Sequence, residues 1–288
     1  MITQPKFKNN PLAGLMRQPK IYIKLPSGGE FWPKGSIDMP ENGELPVFSM
    51  TAKDELMIKI PDALVNGQAI VDVIQNCIPS IKNAWSTPNI DLDVILIAIR
   101  IATYGEKMKV PLDTGDLDVE YDVDLRNIMA ELTNQITWDA TVPVNTDLTV
   151  YIKPSTYKQM TESALQSFES QKIMQIANDT EMADEEKLKL FNTAFNKLNN
   201  LTVGLVNDAV FQIESSQGST DNPQFIKEFM ENADKEIFDS IKSHIEKMRE
   251  INSIKPLQVA PTPEMLAAGW EDKIVEVPLV FDASTFFA

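Results

Sequence analysis

A run of apolar residues with no polar face sets the strongest constraint on how this chain of 288 residues can fold. Between Leu92 and Tyr104 the charged residues are Asp93 and Arg100, and most of the others are aliphatic. A helix that is apolar on every side is stable when protein surrounds it. Gly105 follows, and glycine is the residue that most often ends a helix. The sequence therefore predicts a buried helix in the core of the N-terminal part.

Two extended segments precede this helix and predict a strand-plus-helix region. Lys20–Leu25 alternates basic and apolar residues, and Leu45–Met50 is rich in residues that favour strands. Thr51 follows as an N-cap, with Asp54 three residues later, which is the spacing of a capping box. Trp32 is expected to pack, together with Phe31, under the turn formed by residues 26–29. Helices are predicted over residues 52–58, 62–65 and 68–76.

The clearest strand pattern runs from Asp116 to Leu125, where acidic and apolar residues alternate without error. Residues 106–112 are predicted to pair with it through a turn at residues 113–115. The acidic face could attract a divalent cation or a basic partner strand. It lacks the spacing of a calcium-binding loop, and a solvated face paired with the cross-strand residues Lys107 and Lys109 is the favoured interpretation.

Residues 155–254 are poor in residues that interrupt helices, because they contain only two glycines, Gly204 and Gly218, and one proline, Pro223. Three apolar stripes at helical spacing, beginning at Tyr157, Leu188 and Phe225, predict about three long helices. The third stripe is long enough for a partner-binding coiled coil, although core packing is favoured.

The last predicted strand, Ile274–Phe281, needs a partner, and the sheet of residues 106–125 and 148–153 is expected to supply it. The predicted class is therefore α+β. It has an N-terminal strand-plus-helix region and a small antiparallel sheet closed by the C-terminal strand, with a helical insertion. The predicted parts are a flexible basic arm (1–18), an N-terminal region with buried helices (19–105), a sheet region (106–154 plus 272–288), and a helical insertion with linker (155–271).

The charge balance limits the classes of partner. Lysine and arginine total 26 and aspartate and glutamate total 42, which gives a net charge of −16. Such a chain is a poor match for the phosphate backbone of nucleic acids. The acidity fits a basic partner or a merely solvated surface. The one cysteine, Cys77, excludes a disulfide within the chain, and the sequence predicts neither a membrane span nor a signal peptide.

No catalytic, cofactor or metal site is predicted from motifs. The one histidine, His244, lies on the polar side of a predicted helix, and neither a zinc-protease motif nor a nucleophile elbow occurs. The turn at residues 26–29 lacks the spacing of a phosphate-binding loop. With 42 acidic residues, chemistry by a pair of carboxylates is left open.

Three segments carry a resemblance to a known family. Lys20–Gly29, Gly43–Glu55 and Ile95–Gly105 resemble the baseplate hub family of T-even-type, contractile-tailed bacteriophages. The resemblance is strongest over residues 19–105, returns weakly at 275–287 and leaves 126–254 unmatched. Many members of this family carry cysteine pairs in the turn after Tyr104-Gly105 and again just before the C-terminal strand, as in a zinc ribbon. The corresponding residues 111–116 and 269–271 hold no cysteine, so zinc is not predicted, although the pairing of these two regions supports the sheet closure.

The resemblance implies a non-enzymatic baseplate hub component or hub-assembly chaperone that contacts hub or tape-measure proteins. It implies a place in the host cytoplasm during assembly, and leaves open both self-association and a place in the virion tail. The alternative is a metal-dependent or other small-molecule enzyme that uses clustered carboxylates. The residues predicted to bind a partner are exposed cations, aromatic residues and residues of the third stripe: Lys20, Lys24, Trp32, Phe225, Phe229, Ile237, Ile241, Phe286 and Phe287.

Overall fold

The computed structural model describes residues 16–60, 67–113, 118–135, 137–164, 184–279 and 286–287, together with Leu12 and Gln171. These residues form two hydrophobic cores within a mixed arrangement of helices and small antiparallel sheets, which confirms the α+β class. The first core takes its residues from 23–132, with Val277, Phe286 and Phe287 added from the end of the chain. The second core takes its residues from 142–245. The predicted boundary at residue 105 therefore falls inside the first core.

The first core surrounds the predicted apolar helix. Strands β1 (Ile21–Ile23) and β2 (Leu45–Val47) pair antiparallel and are followed by helices α1 (Ala52–Ile58) and α2 (Gln68–Cys77). Helix α3 (Asn89–Tyr104) is central, because Val94, Ile95, Ile97, Ala98 and Ile99 are all fully buried. This confirms the prediction of a buried helix that Gly105 ends. The helix predicted at residues 62–65 lies outside the described residues.

The capping box at the start of α1 is confirmed. The Thr51 backbone N–H donates to the Asp54 carboxylate at 2.7 Å, and the Asp54 backbone N–H donates to the Thr51 hydroxyl at 3.3 Å. Asp54 is 1% exposed and also accepts a hydrogen bond from the Asn76 amide at 2.9 Å. The box therefore joins the first turn of α1 to the last turn of α2.

Replacing Thr51 with alanine is expected to lower the free energy of unfolding by about 1 kcal/mol, because the first turn of α1 loses its side-chain cap. Urea titration followed by circular dichroism would measure it. Thr51→Ser keeps the hydroxyl and should stay close to wild type. An alanine variant as stable as the serine variant would contradict the role of the cap.

Arg17 ties the end of the predicted basic arm to this region. Its guanidinium donates to the backbone carbonyls of Ser49 and Asn76, both at 2.5 Å, and lies 5.6 Å from the centre of the Phe48 ring. Helix α2 has no basic residue in its last turn, so Arg17 supplies the cation that this end of the helix favours. Residues 1–11 and 13–15 lie outside the described residues.

A hairpin and a helix that follow α3 in the chain add further residues to the first core. Strands β3 (Lys107–Asp113) and β4 (Asp118–Asp124) pair antiparallel and lead directly into helix α4 (Leu125–Gln135). Lys109 forms an ion pair with Glu120 at 2.8 Å, as expected for an acidic face paired with cross-strand lysines. Of the predicted turn at residues 113–115, Asp113 ends β3 and residues 114–115 lie outside the described residues.

The second core lies between a four-stranded antiparallel sheet and three helices. The sheet has the order β5 (Thr141–Asn145), β6 (Leu148–Ile152), β7 (Val210–Ser215) and β8 (Gly218–Thr220). Helices α5 (Asp184–Ala209), α6 (Pro223–Asn232) and α7 (Lys235–Ile251) supply the opposite side. The buried residues include Val150, Val206, Ile226, Ile241 and Ile245.

Two predictions about the helical insertion are wrong. Residues 210–220 form strands β7 and β8, because Val210 and Ile213 turn inward while β6 supplies a hydrogen-bonding partner. The third stripe is two helices rather than one. Asp234 caps α7 by accepting a hydrogen bond from the backbone N–H of Ile237 at 2.9 Å, and aspartate is a strong N-cap that favours a new helix start.

The predicted sheet closure is also wrong. Strand β10 (Val275–Val277) pairs antiparallel with β9 (Leu257–Val259), and the short helix α8 (Pro263–Ala267) connects them. Among the described residues, β3 and β4 pair with each other, and residues 148–152 belong to the sheet of the second core. Val277 still packs in the first core. Pairing with β9 closes a short loop, which costs less chain entropy than pairing with a distant strand.

Candidate partner-binding surface

The two lysines predicted to bind a partner lie on the outer side of β1. Ile23 points into the first core, whereas Lys20, Tyr22 and Lys24 are exposed, Tyr22 by 60%. Strand residues alternate between two faces, so these three side chains share one face. The structure thus presents a small basic and aromatic face on an otherwise acidic chain, and its role in binding a partner stays a prediction.

Trp32, by contrast, is a buried residue of the first core, and its role in binding a partner also stays a prediction. Its Nε1–H donates to the carboxylate of Asp91 at 2.8 Å. The backbone N–H and the hydroxyl of Ser27 donate to the same carboxylate at 2.9 and 2.5 Å. Burial raises the pKa of Asp91, while the hydrogen bonds from Ser27 and Trp32 act in the opposite direction. Trp32 and Asp91 together fix the turn at residues 26–29 on the start of α3.

Phe286 and Phe287 are also core residues, 0% and 4% exposed. The Tyr104 hydroxyl donates to the Phe287 carbonyl at 3.1 Å. The Arg100 guanidinium lies 5.5 Å from the centre of the Phe286 ring and 5.1 Å from that of Tyr104. The pair therefore packs beside the end of α3, inside the first core and not on the surface, and its role in binding a partner stays a prediction.

The residues predicted from the third stripe divide by burial. Ile241 is fully buried, and Phe229 and Ile237 are partly buried against the second core. Phe225 at the start of α6 is 59% exposed. Of the nine predicted residues, Lys20, Lys24 and Phe225 are thus the exposed ones, and they lie on different elements, β1 and α6.

Helix α5, which contains the second predicted apolar stripe, carries four exposed apolar side chains. Leu188, Phe191, Phe195 and Val203 are exposed by 62%, 45%, 51% and 42%. The rings of Phe191 and Phe195 are stacked, with centres 6.3 Å apart and planes 11° apart. Helix α5 has 26 residues, about 39 Å at 1.5 Å per residue, whereas α6 has 10. This difference in length is not visible in the sequence, where the third stripe predicts one long helix and not the two shorter helices α6 and α7.

A cavity of about 380 Å³ lies where the start of α3 meets the end of α7. It is lined by Asp93, Asn89 and Arg249, among others, and Arg249 donates to the Ser155 hydroxyl at 3.3 Å. Burial raises the pKa of Asp93 to about 6. No hydrogen bond or ion pair of Asp93 is present among the described residues.

The other chemically reactive groups have structural surroundings. Burial raises the pKa of the Cys77 thiol to about 12, and His244 Nε2 lies 2.9 Å from the Asp139 carbonyl oxygen. Within the described ranges, no group of three or more histidine, cysteine, aspartate or glutamate residues could hold a metal ion. In that same part of the chain, no helix is long and apolar enough to cross a membrane.

The raised pKa of Asp93 predicts that the stability of the protein depends on pH between about 4 and 6. Its pKa in the folded chain, about 6, is above the ordinary value of 3.8. The stability that its protonated form provides is therefore complete below about pH 4 and is lost as the pH rises through 6. Asp93→Asn removes this loss and should make the protein about 1 to 2 kcal/mol more stable than wild type at pH 8.

The measurement is the difference in unfolding free energy between variant and wild type from pH 3.5 to pH 8. Asp239→Asn, at an exposed position on α7, is the matched control and should give a nearly flat difference. A flat difference for Asp93→Asn as well would mean that its carboxylate is solvated in the folded chain.

Comparisons with known proteins place the chain in a family. No curated protein and no solved structure matched it. The model of a family described as T4 bacteriophage base plate protein matches residues 18–259. The match includes residues 126–254, which the resemblance in the sequence left unmatched, and it stops before residues 275–287. Because the match spans most of the chain, this protein belongs to the T4 bacteriophage base plate protein family.

Proposed function

We propose that this base plate protein is a non-enzymatic hub component or hub-assembly chaperone, acting by contact with hub or tape-measure proteins. The observation that carries the proposal is the family match over residues 18–259. A base plate is built from contacts between tail proteins, so a member of this family works at such contacts. The proposal places the protein in the host cytoplasm during assembly.

The surface of the chain supports a binding role. Large apolar side chains are exposed on several elements, including Tyr22 on β1, Phe225 on α6 and the stripe on α5. Exposed apolar patches commonly mark protein–protein contacts. The net charge of −16 adds long-range attraction toward basic partners and repulsion between copies of the chain.

The buried carboxylates also support a binding protein rather than an enzyme. Asp54 is held by the capping box and by Asn76, and Asp91 is held by Ser27 and Trp32. Each therefore stabilises the fold through its hydrogen bonds. Catalytic acids and bases are typically grouped in one cleft with shifted pKa values, and Asp93 faces its cavity without a second acidic residue among the described lining residues.

Pairwise co-expression with each hub protein and with the tape-measure protein of the same phage would test the proposal. Co-purification of at least one of them is the expected result. If the folded, soluble protein binds none of them, the proposal is overturned. Mass spectrometry of purified virions then separates the two forms of the proposal, because a hub component remains in the particle and a chaperone leaves.

A further inference from the structure

We propose that the exposed stripe of α5, defined by Leu188, Phe191, Phe195 and Val203, is the docking site for an amphipathic helix of another tail protein. This inference rests on the proposed function and assigns to it a surface and a kind of partner. The stripe differs from the surface that the sequence predicted, which combined β1, the third stripe and residues 286–287.

The spacing of the stripe fits a helix as the partner. Leu188, Phe191 and Phe195 follow each other at intervals of three and four residues, and the sequence continues this spacing at Leu198 and Leu205. Alternating intervals of three and four residues place side chains along one seam, which packs against another helix with knobs in holes. An extended strand has a period of two and does not match this seam.

Among the residues that the structure describes, the stripe belongs to neither hydrophobic core. Of the described side chains of α5, Val206 and Ala209 near its end belong to the second core, and the described part of the first core contains none of them. The stacked rings of Phe191 and Phe195 remain about half exposed. Aromatic side chains held in place before binding lose little conformational freedom when a partner covers them. They are therefore the expected energetic centre of the contact.

Charge favours a different protein over a second copy as the occupant. Helix α5 begins with Asp184, Glu185 and Glu186. A second copy in parallel would set these acids against the same acids. Each copy also carries a net charge of −16. The complementary occupant is an apolar helix stripe of a protein with the opposite net charge.

The test uses the full chain, tagged and co-expressed in turn with each hub protein and with the tape-measure protein. Phe191→Asp combined with Phe195→Asp should weaken binding about tenfold or more, because both central rings are lost. Leu56→Asp is the control, a leucine on α1 that is 68% exposed, and should leave binding within about twofold. The melting temperatures of both variants should equal that of wild type, because all three side chains are exposed.

Each outcome bears on a different claim. If the wild-type chain binds none of the proteins, the proposed function fails. If wild type binds and the double variant binds equally well, the function stands and the α5 site is wrong. If Leu56→Asp abolishes binding instead, the site lies on α1. If wild type sediments as a dimer that the double variant dissociates, the stripe binds a second copy, and the proposed occupant is wrong.

Discussion

Replacing Asp91 with alanine is expected to lower the free energy of unfolding by about 3 kcal/mol. The carboxylate is fully buried and accepts hydrogen bonds from two groups of Ser27 and from Trp32. Alanine would leave the buried Trp32 Nε1–H and the partly buried Ser27 backbone N–H without their acceptor. The loss of three hydrogen bonds and the two unpaired donors destabilise the fold. This cost is larger than the free energy gained because a carboxylate is no longer buried. Urea titration followed by tryptophan fluorescence would measure the change.

Two variants make this result interpretable. Asp38→Ala removes an aspartate whose side chain is 69% exposed and should change stability by less than about 0.5 kcal/mol. Trp32→Phe removes the indole donor, so the double variant with Asp91→Ala should be less destabilised than the sum of the two single variants. Additive effects would mean that Trp32 and Asp91 do not stabilise each other.

Replacing Phe286 with alanine is expected to cost about 3 to 4 kcal/mol, within the range measured for buried phenylalanine residues. The ring is fully buried, lies 5.1 Å from that of Phe287 and lies against the Arg100 guanidinium. Alanine would leave a cavity beside the end of α3 and would remove the aromatic face above a cation. The midpoint of urea denaturation would decrease, with the slope of the transition unchanged.

Phe225→Ala is the matched control, because the Phe225 side chain is 59% exposed. It should change the free energy of unfolding by less than about 0.5 kcal/mol. Equal effects of the two substitutions would contradict the packing of Phe286 in the first core. A small effect of both would mean that residues 286–287 do not contribute to the core in solution.

The sequence was sufficient where short-range physics determines the structure. Helix α3 was predictable because no polar face exists between Leu92 and Tyr104, and the capping box because Thr51 and Asp54 are neighbours. The hairpin of β3 and β4 followed from strict alternation. The family resemblance also came from local segments, within residues 20–55 and 95–105. Each of these features depends on residues close together in the chain.

The sequence was insufficient where distant segments decide the outcome. Val210 continues a helical stripe as well as it begins β7, and pairing with β6 decides between them. The partner of β10 depends on which strand edge lies nearby. Ile241 and Phe191 lie on similar amphipathic helices, yet Ile241 is buried and Phe191 is exposed, because burial depends on which other elements pack against each helix. Burial of Trp32 and Phe286 likewise depends on Asp91 and Arg100, many residues away.

The order of residues in the first core has a consequence for biosynthesis. Its residues at 23–132 leave the ribosome well before Phe286 and Phe287, and the residues of the second core lie between them in the chain. At roughly 5–20 residues per second, the interval is on the order of ten to thirty seconds. The second core can therefore form while the first lacks its last aromatic pair. Newly made molecules would become fully stable only when residues 286–287 emerge, so translation itself sets the earliest time at which the first core is complete.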